Sequence, residues 1–224
     1  NRCYEPAYVK RDTAIKQALQ ASGIETHSTN GSLLLDPHII KNKSGNPFQV
    51  FTPFWKHTKE HDLAQPETLS QASTTVDIKS EPLDSLELLP NIRWDKGMES
   101  FWDPTRKGGL KLLDAAIAKS KPYNIQRDLP DADGTSRLSP YLHFGQISPQ
   151  EFFHTIRSGC PDQEKADTGI LRQLYWREFS AHLLYHFPHS QDLALKPAYD
   201  LFPWSFNESY LRAWQRGETG FPIV

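Results

Sequence analysis

Gly134-Thr-Ser-Arg-Leu-Ser139, followed by Ile170-Leu-Arg-Gln-Leu-Tyr-Trp-Arg-Glu-Phe-Ser-Ala-His-Leu-Leu-Tyr185, decides how this chain folds and what it can bind. Asp131-Ala-Asp-Gly134 is turn chemistry, and Gly134 lets the backbone approach a ligand closely. Two hydroxyls follow at once, then the apolar run Leu138 to Phe144, which reads as a helix N-terminus. Such an end presents free N–H groups and the positive end of a dipole, which suits a phosphate. A plain helix cap would use the same residues.

The second stretch, with its centre at Leu171–Leu184, is helical. At about 100° per residue, Ile170, Leu171, Leu174, Tyr175, Phe179, Ala181, Leu184 and Tyr185 form one apolar arc. Arg172, Gln173, Arg177 and Ser180 fall opposite, with Trp176 among them. Gln173, Trp176, Arg177 and Ser180 follow i, i+3, i+4, i+7 and share a face. An aromatic beside arginine, amide and hydroxyl groups suits stacking on a base with its phosphate held alongside. Burial of Trp176 under another helix is the alternative.

Gly-Thr-Ser-Arg-Leu-Ser, Leu-His-Phe-Gly-Gln-Ile-Ser, Trp-Arg-Glu-Phe and Thr-Gly-Phe-Pro-Ile-Val occur in this order. Together they resemble the photolyase/cryptochrome family, and bacterial class I cyclobutane-dimer photolyases most of all. The resemblance runs from Asn1 to Val224. It implies an α/β remnant, residues 1–36, from the end of an antenna domain. An interdomain connector follows over 37–96, and then the first half of an all-α FAD-binding and DNA-binding domain over 97–224.

The resemblance also implies site roles. Thr135, Ser136, Arg137, Leu138 and Ser139 would grip the FAD pyrophosphate, with Tyr123 against its phosphates. Arg127 and Arg177 would approach the DNA strand; a surface ion pair with Asp128 or Asp131 is the plain reading of Arg127. Trp176 would pack on a flipped pyrimidine dimer, Gln173 would meet the edge of a damaged base, and Ser180 completes that face. Gln173 departs from the glutamate common in enzymes that act on cyclobutane dimers, and relatives acting on (6-4) photoproducts often carry glutamine there. Ile170 departs from the tryptophan of some members. The implied activity is light-driven electron transfer from reduced FAD, with a folate or deazaflavin antenna in the whole protein. No side chain acts as general acid, nucleophile or metal ligand. A cryptochrome-like photoreceptor and an inactive fragment are the competing readings.

Around these motifs, 224 residues with a net charge of −2 exclude a generally basic nucleic-acid coat, so DNA contact needs a local patch. Cys3 and Cys160, far apart, give no disulfide framework and fit a reducing compartment. No apolar run approaches the roughly 20 residues of a bilayer span, and no signal peptide is read. The expectation is a cytoplasmic, bacterial, nucleoid-associated monomer without a membrane partner. The opening at Asn1 and the stop at Pro-Ile-Val224 read as an internal piece of something longer.

In chain order, a helix is expected over Glu5 to Ser22 with Ala14, Ile15, Ala18 and Leu19 as its stripe, closed by Gly23. Ile24 to Ser28 alternates like a strand. The aromatic block Phe48 to Trp55 reads as packing, opening a helix to about His61. Residues 65–93 read as a surface linker pinned by Trp94 and Phe101-Trp102. Asp103-Pro104 caps a helix bearing Leu110, Leu112, Leu113, Ala116 and Ile117. Ser148-Pro-Gln-Glu151 is a capping box, and Asn207 caps Glu208 to Arg216. His143 and His154 lack the carboxylate or cysteine company of a metal site.

Overall fold

The computed structural model describes residues 1–66, 79–89 and 91–222 and divides into two compact units, Asn1–Pro188 and His189–Val224. The first carries α1 (Pro6–Ala21), α2 (Phe51–Thr58), α3 (Arg106–Ser120), α4 (Tyr123–Gln126), α5 (Ser139–His143), α6 (Pro149–Gly159), α7 (Gln163–Thr168) and α8 (Ile170–His186). The second carries α9 (Glu208–Arg216). The architecture is helical, and no strand occurs among the described residues.

Of the expected helix and strand over residues 1–36, the helix forms and the strand does not. Pro6 opens α1 as anticipated and Gly23 follows it at φ +75, but α1 buries no residue. Ile24 to Ser28 is extended without becoming a strand. A strand needs a ladder of partners. Its surroundings supply only scattered backbone bonds, Ile24 N–H to the Leu19 carbonyl at 3.0 Å and Arg2 N–H to the Thr29 carbonyl at 2.9 Å, and side-chain ties such as Gly31 N–H to Asn1 Oδ1 at 2.7 Å.

α8 organises the core of the first unit. It packs against α2, α6, α7 and the 3₁₀ turn Pro37–Ile39, while α3 packs on α6. Ile170, Leu171, Leu174, Tyr175 and Phe179 are buried as the wheel predicts, but so are Glu178 and His182. These two, with His186, recur every fourth residue along the helix and hold the irregular 33–48 segment by its backbone. Glu178 accepts from Leu34 N–H at 2.8 Å and Leu35 N–H at 3.4 Å. His182 Nε2 accepts from Phe48 N–H at 3.0 Å, and His186 Nε2 donates to the Pro37 carbonyl at 2.9 Å. Because Nε2 of His182 is an acceptor, its proton sits on Nδ1, which is buried without a partner.

Local signals set the other helix ends. Ser148 Oγ accepts from Glu151 N–H at 3.0 Å with Pro149 at the first position, while the Glu151 carboxylate turns away to Arg106 at 2.7 Å. In α3 the cap is Thr105, accepting from Gly108 N–H at 3.2 Å; Asp103 instead accepts from Thr105, so the expected cap moves by two residues. Leu113 and Ala116 are buried there and Leu110 is exposed. Asn207 caps α9 through Ser209 N–H at 3.0 Å and Tyr210 N–H at 3.2 Å, and Gly217 ends it.

The aromatic block packs as read: Phe48, Phe51 and Phe54 are core residues. Of the expected pins, Trp102 packs against the core, whereas Trp94 and Phe101 are exposed. The linker's described parts are exposed around a 3₁₀ turn, Leu83–Leu86; residues 67–78 and 90 lie outside the described residues, as do Ile223 and Val224. Cys3 and Cys160 are both free thiols. Among the described residues no helix is long and apolar enough to cross a membrane, and no group of three His, Cys, Asp or Glu is placed to hold a metal.

Candidate functional site

A cleft of about 410 Å³ opens between the cradle and α8. Leu142, Phe152, Ile170 and Leu174 line it with apolar surface, and Tyr123, Ser136, Ser139, His143, Gln173 and Arg177 supply the polar groups. Its volume falls in the range of small-molecule sites. Among the described residues no carboxylate lines it.

The cradle wall is built from a close backbone contact. Gly134 is buried, and a Cβ there would lie 2.4 Å from the backbone carbon and oxygen of Gln126. The glycine thus lets the loop press on α4, rather than on a ligand as its turn chemistry implied. That contact brings the loop beside Tyr123, which is buried and whose phenol pKa is raised, first by burial and then by Asp128. Leu138 anchors the far end of the loop at 1 % exposure.

Between the anchors, Arg137 adopts φ +56, a left-handed conformation that costs a residue with a Cβ about 1–2 kcal/mol. Asp133 pairs with it at 3.0 Å and with Lys119 from α3 at 2.9 Å, and Lys119 also donates to the Thr135 carbonyl at 3.0 Å. Lys119 is the main reason the Asp133 carboxyl is held below its ordinary pKa. Ser136 and Ser139 face the cleft, while the exposed Thr135 and Arg137 are not among its lining residues. The helix that follows, α5, has five residues and is preceded by Leu138 in helical conformation, with no side-chain cap. The simple cap reading of the hydroxyls fails, because Ser136 Oγ faces Leu138 N–H at 3.4 Å one residue short of the helix.

The α8 face divides. Gln173 and Arg177 line the cleft, but Arg177 Nη1 already donates to the Ser32 carbonyl at 2.5 Å and lies 3.4 Å from Glu178. Trp176 stands beside them, 42 % exposed, with its ring parallel to Phe51 at 3.6 Å between centroids. Helix α2 thus covers one face of the indole. Ser180 is exposed and donates back to the Trp176 carbonyl at 3.0 Å. Arg127 lies over the Tyr123 ring at 5.6 Å and pairs with Asp128 at 3.3 Å, its plain reading.

Four residues around this site were given no site role by sequence reasoning: Phe51, Arg172, Glu178 and His182. For the last two a signal existed, because both fall in the middle of the apolar arc of α8. Burial dominates both titrations: the Glu178 carboxyl is pushed up to about 8, and His182, with His186 beside it, is pushed down to about 4.

Residues 1–72 match the family described as DNA photolyase, and residues 170–224 match the FAD binding domain of DNA photolyase. The chain is 37 % identical to a deoxyribodipyrimidine photo-lyase of Agrobacterium fabrum, over 100 % of this chain and 48 % of that protein. It is 30 % identical to cryptochrome-1 of Arabidopsis thaliana, over 100 % of this chain and 35 % of that one. The crystal structure of a bacterial class III photolyase from Agrobacterium tumefaciens superposes with a TM-score of 0.82 at 36 % identity, covering 100 % of this chain and 48 % of that one. That enzyme is of class III, whereas the sequence resemblance pointed to class I. The chain spans about half the length of the photo-lyases it matches. With both family matches and its fold superposing on a photolyase, the chain belongs to the DNA photolyase and cryptochrome family.

Proposed function

We propose that this chain forms part of a light-driven DNA-repair lyase, a deoxyribodipyrimidine photo-lyase acting on cyclobutane pyrimidine dimers in UV-damaged DNA. One observation carries the reading: Tyr123, Ser136 and Ser139 from the cradle meet Gln173 and Arg177 from α8 on a single cleft. Hydroxyl donors without a facing carboxylate suit the pyrophosphate of FAD, and the amide and guanidinium of α8 suit the lesion and its strand. When bound, reduced and light-excited FAD supplies the electron that opens the cyclobutane ring and then takes it back.

The protein's own residues have binding and positioning work in this scheme. Ser136 and Ser139 donate to phosphate oxygens, with Thr135, Arg137 and Leu138 shaping the loop that presents them, and Tyr123 closes the cofactor side. Gln173 meets the edge of an extruded pyrimidine, and the open face of Trp176 takes its ring. Extrusion of a damaged base costs less than extrusion of a paired one, which favours lesions over intact sequence. Arg127, Arg177 and Ser180 hold the strand nearby. Residues 1–36 belong to an antenna domain, 37–96 to the connector and 97–224 to the cofactor domain, in a cytoplasmic monomeric protein with an antenna pigment.

Gln173 on the cleft wall favours a second reading, repair of (6-4) photoproducts, since its amide donates where a glutamate only accepts. A cryptochrome-like photoreceptor is the third. The test is illumination of the reduced, flavin-loaded protein, at the length of its relatives, with oligothymidylate carrying cyclobutane dimers. Recovery of thymine absorbance under blue light is expected. Recovery on (6-4) substrate alone would move the assignment to that lesion, and recovery on neither, with flavin intact, to the photoreceptor.

A further inference from the structure

We propose that Phe51 is a positioning residue for Trp176, holding the indole with one face filled and the other presented, so that it stacks a single extruded base. This rests on the lesion-binding reading of the α8 face. The two rings lie 3.6 Å apart between centroids and 8° from parallel. Phe51 is 4 % exposed and Trp176 is 42 % exposed, so the pair has one inner and one outer member.

Phe51 is itself fixed from several sides. Its edge meets Phe179 at 5.8 Å, and Trp55, one turn on along α2, lies parallel to it at 6.4 Å. The Arg172 guanidinium sits over both rings, 5.4 Å from Phe51 and 5.2 Å from Trp55. Its buried Nε has no hydrogen-bond partner, so the aromatic faces are its principal company. Arg172 and Trp176 are one turn apart on α8, as are Phe51 and Trp55 on α2, and the two pairs interlock.

The physical consequence is twofold. An indole free to rotate would lose that freedom on stacking, whereas a ring plane set beforehand does not, which strengthens binding. A ring with one face filled also cannot enter between two stacked base pairs, because intercalation needs both faces. The arrangement accepts a base already out of the helix, and Gln173 and Arg177, lining the cleft from the same helix, are placed to meet it.

The experiment compares Phe51→Leu with Phe54→Leu in the flavin-loaded protein. Phe54 is equally buried, but its rings of contact are Phe48, Phe179 and His182, not Trp176. Affinity is titrated for an oligothymidylate with one cyclobutane dimer and for its undamaged counterpart, and thermal unfolding monitors the fold. Phe51→Leu is expected to weaken dimer binding about three- to tenfold, the scale of one aromatic pair, without changing flavin content or binding to undamaged DNA. Its effect should be non-additive with Trp176→Ala, Phe51→Tyr should retain binding, and Phe54→Leu should lower only the unfolding temperature. If Phe51→Leu does not fold, Phe51→Met carries the same comparison. Phe51→Leu matching Phe54→Leu, or adding fully to Trp176→Ala, overturns the role of Phe51. Dimer binding untouched by Trp176→Ala overturns the lesion-face reading beneath it.

Discussion

Helices α1 and α8 have nearly the same length, 16 and 17 residues, and opposite fates. α1 has an unambiguous start at Pro6 and stop at Gly23, yet Ile15 is 51 % exposed and no residue is buried. α8 begins after Gly169 with no side-chain cap, yet seven of its residues are buried. End signals and apolar spacing therefore decide that a helix forms. Burial depends on what arrives against it, and for α8 that is α2, α6, α7 and the 33–48 segment. The free energy of the fold is concentrated accordingly, since most helical stability comes from a packed face.

The contrast can be broken first by truncation. Leu171→Ala, at a site with 0 % exposure, should cost about 3 kcal/mol in urea unfolding, while Ile15→Ala should cost about 0.5 kcal/mol or less. Equal losses at the two sites would mean that α1 is packed in solution.

Glycines give the next contrast. Gly134→Ala pushes a methyl into the backbone of Gln126 and should cost about 2–3 kcal/mol, with loss of bound flavin as the cradle shifts. Gly134→Ala retaining wild-type stability and flavin would show that the loop does not rest on α4.

The buried polar stripe of α8, which α1 lacks, should appear as pH dependence. The Glu178 pKa is raised from 4.5 to about 8, so its contribution is complete below 4.5 and is lost as pH rises through 8. The His182 pKa is lowered from 6.5 to about 4, so its contribution is complete above 6.5 and is lost as pH falls through 4. Above pH 6.5 only Glu178 of these two still titrates. Between pH 6.5 and 8 the wild type should lose up to about 2 kcal/mol relative to Glu178→Gln, measured by urea midpoints at the two values. Parallel curves for the two proteins would mean that Glu178 is already ionised in the folded state.

A smaller effect than those at Gly134 and Glu178 belongs to the end of α1. Gly23, at φ +75 with open space around it, should cost about 1 kcal/mol on replacement by alanine, through strain alone. A loss as large as that of Gly134→Ala would place a neighbour against that turn.

The sequence by itself determined what depends on neighbours a few residues away. The extent of α8, the caps at Ser148 and Asn207 and the stops at Gly23 and Gly217 are local matters of spacing, hydroxyl or amide acceptors and permitted φ. The ordered motifs named the family, and they placed Ser136, Ser139 and Gln173 on what proves to be one cleft. Tertiary structure alone decided the rest. Gly134 faces Gln126 because α4 returns beneath the loop. Arg177 is tied to Ser32, and Glu178 and His182 are buried, because a segment far upstream brings backbone groups that need partners. One face of Trp176 is covered because α2 lies against α8. Ile24–Ser28 forms no strand because a ladder needs a second chain segment. In each case the outcome turns on a partner distant in sequence, and periodicity within one segment does not specify which surface will arrive to meet it.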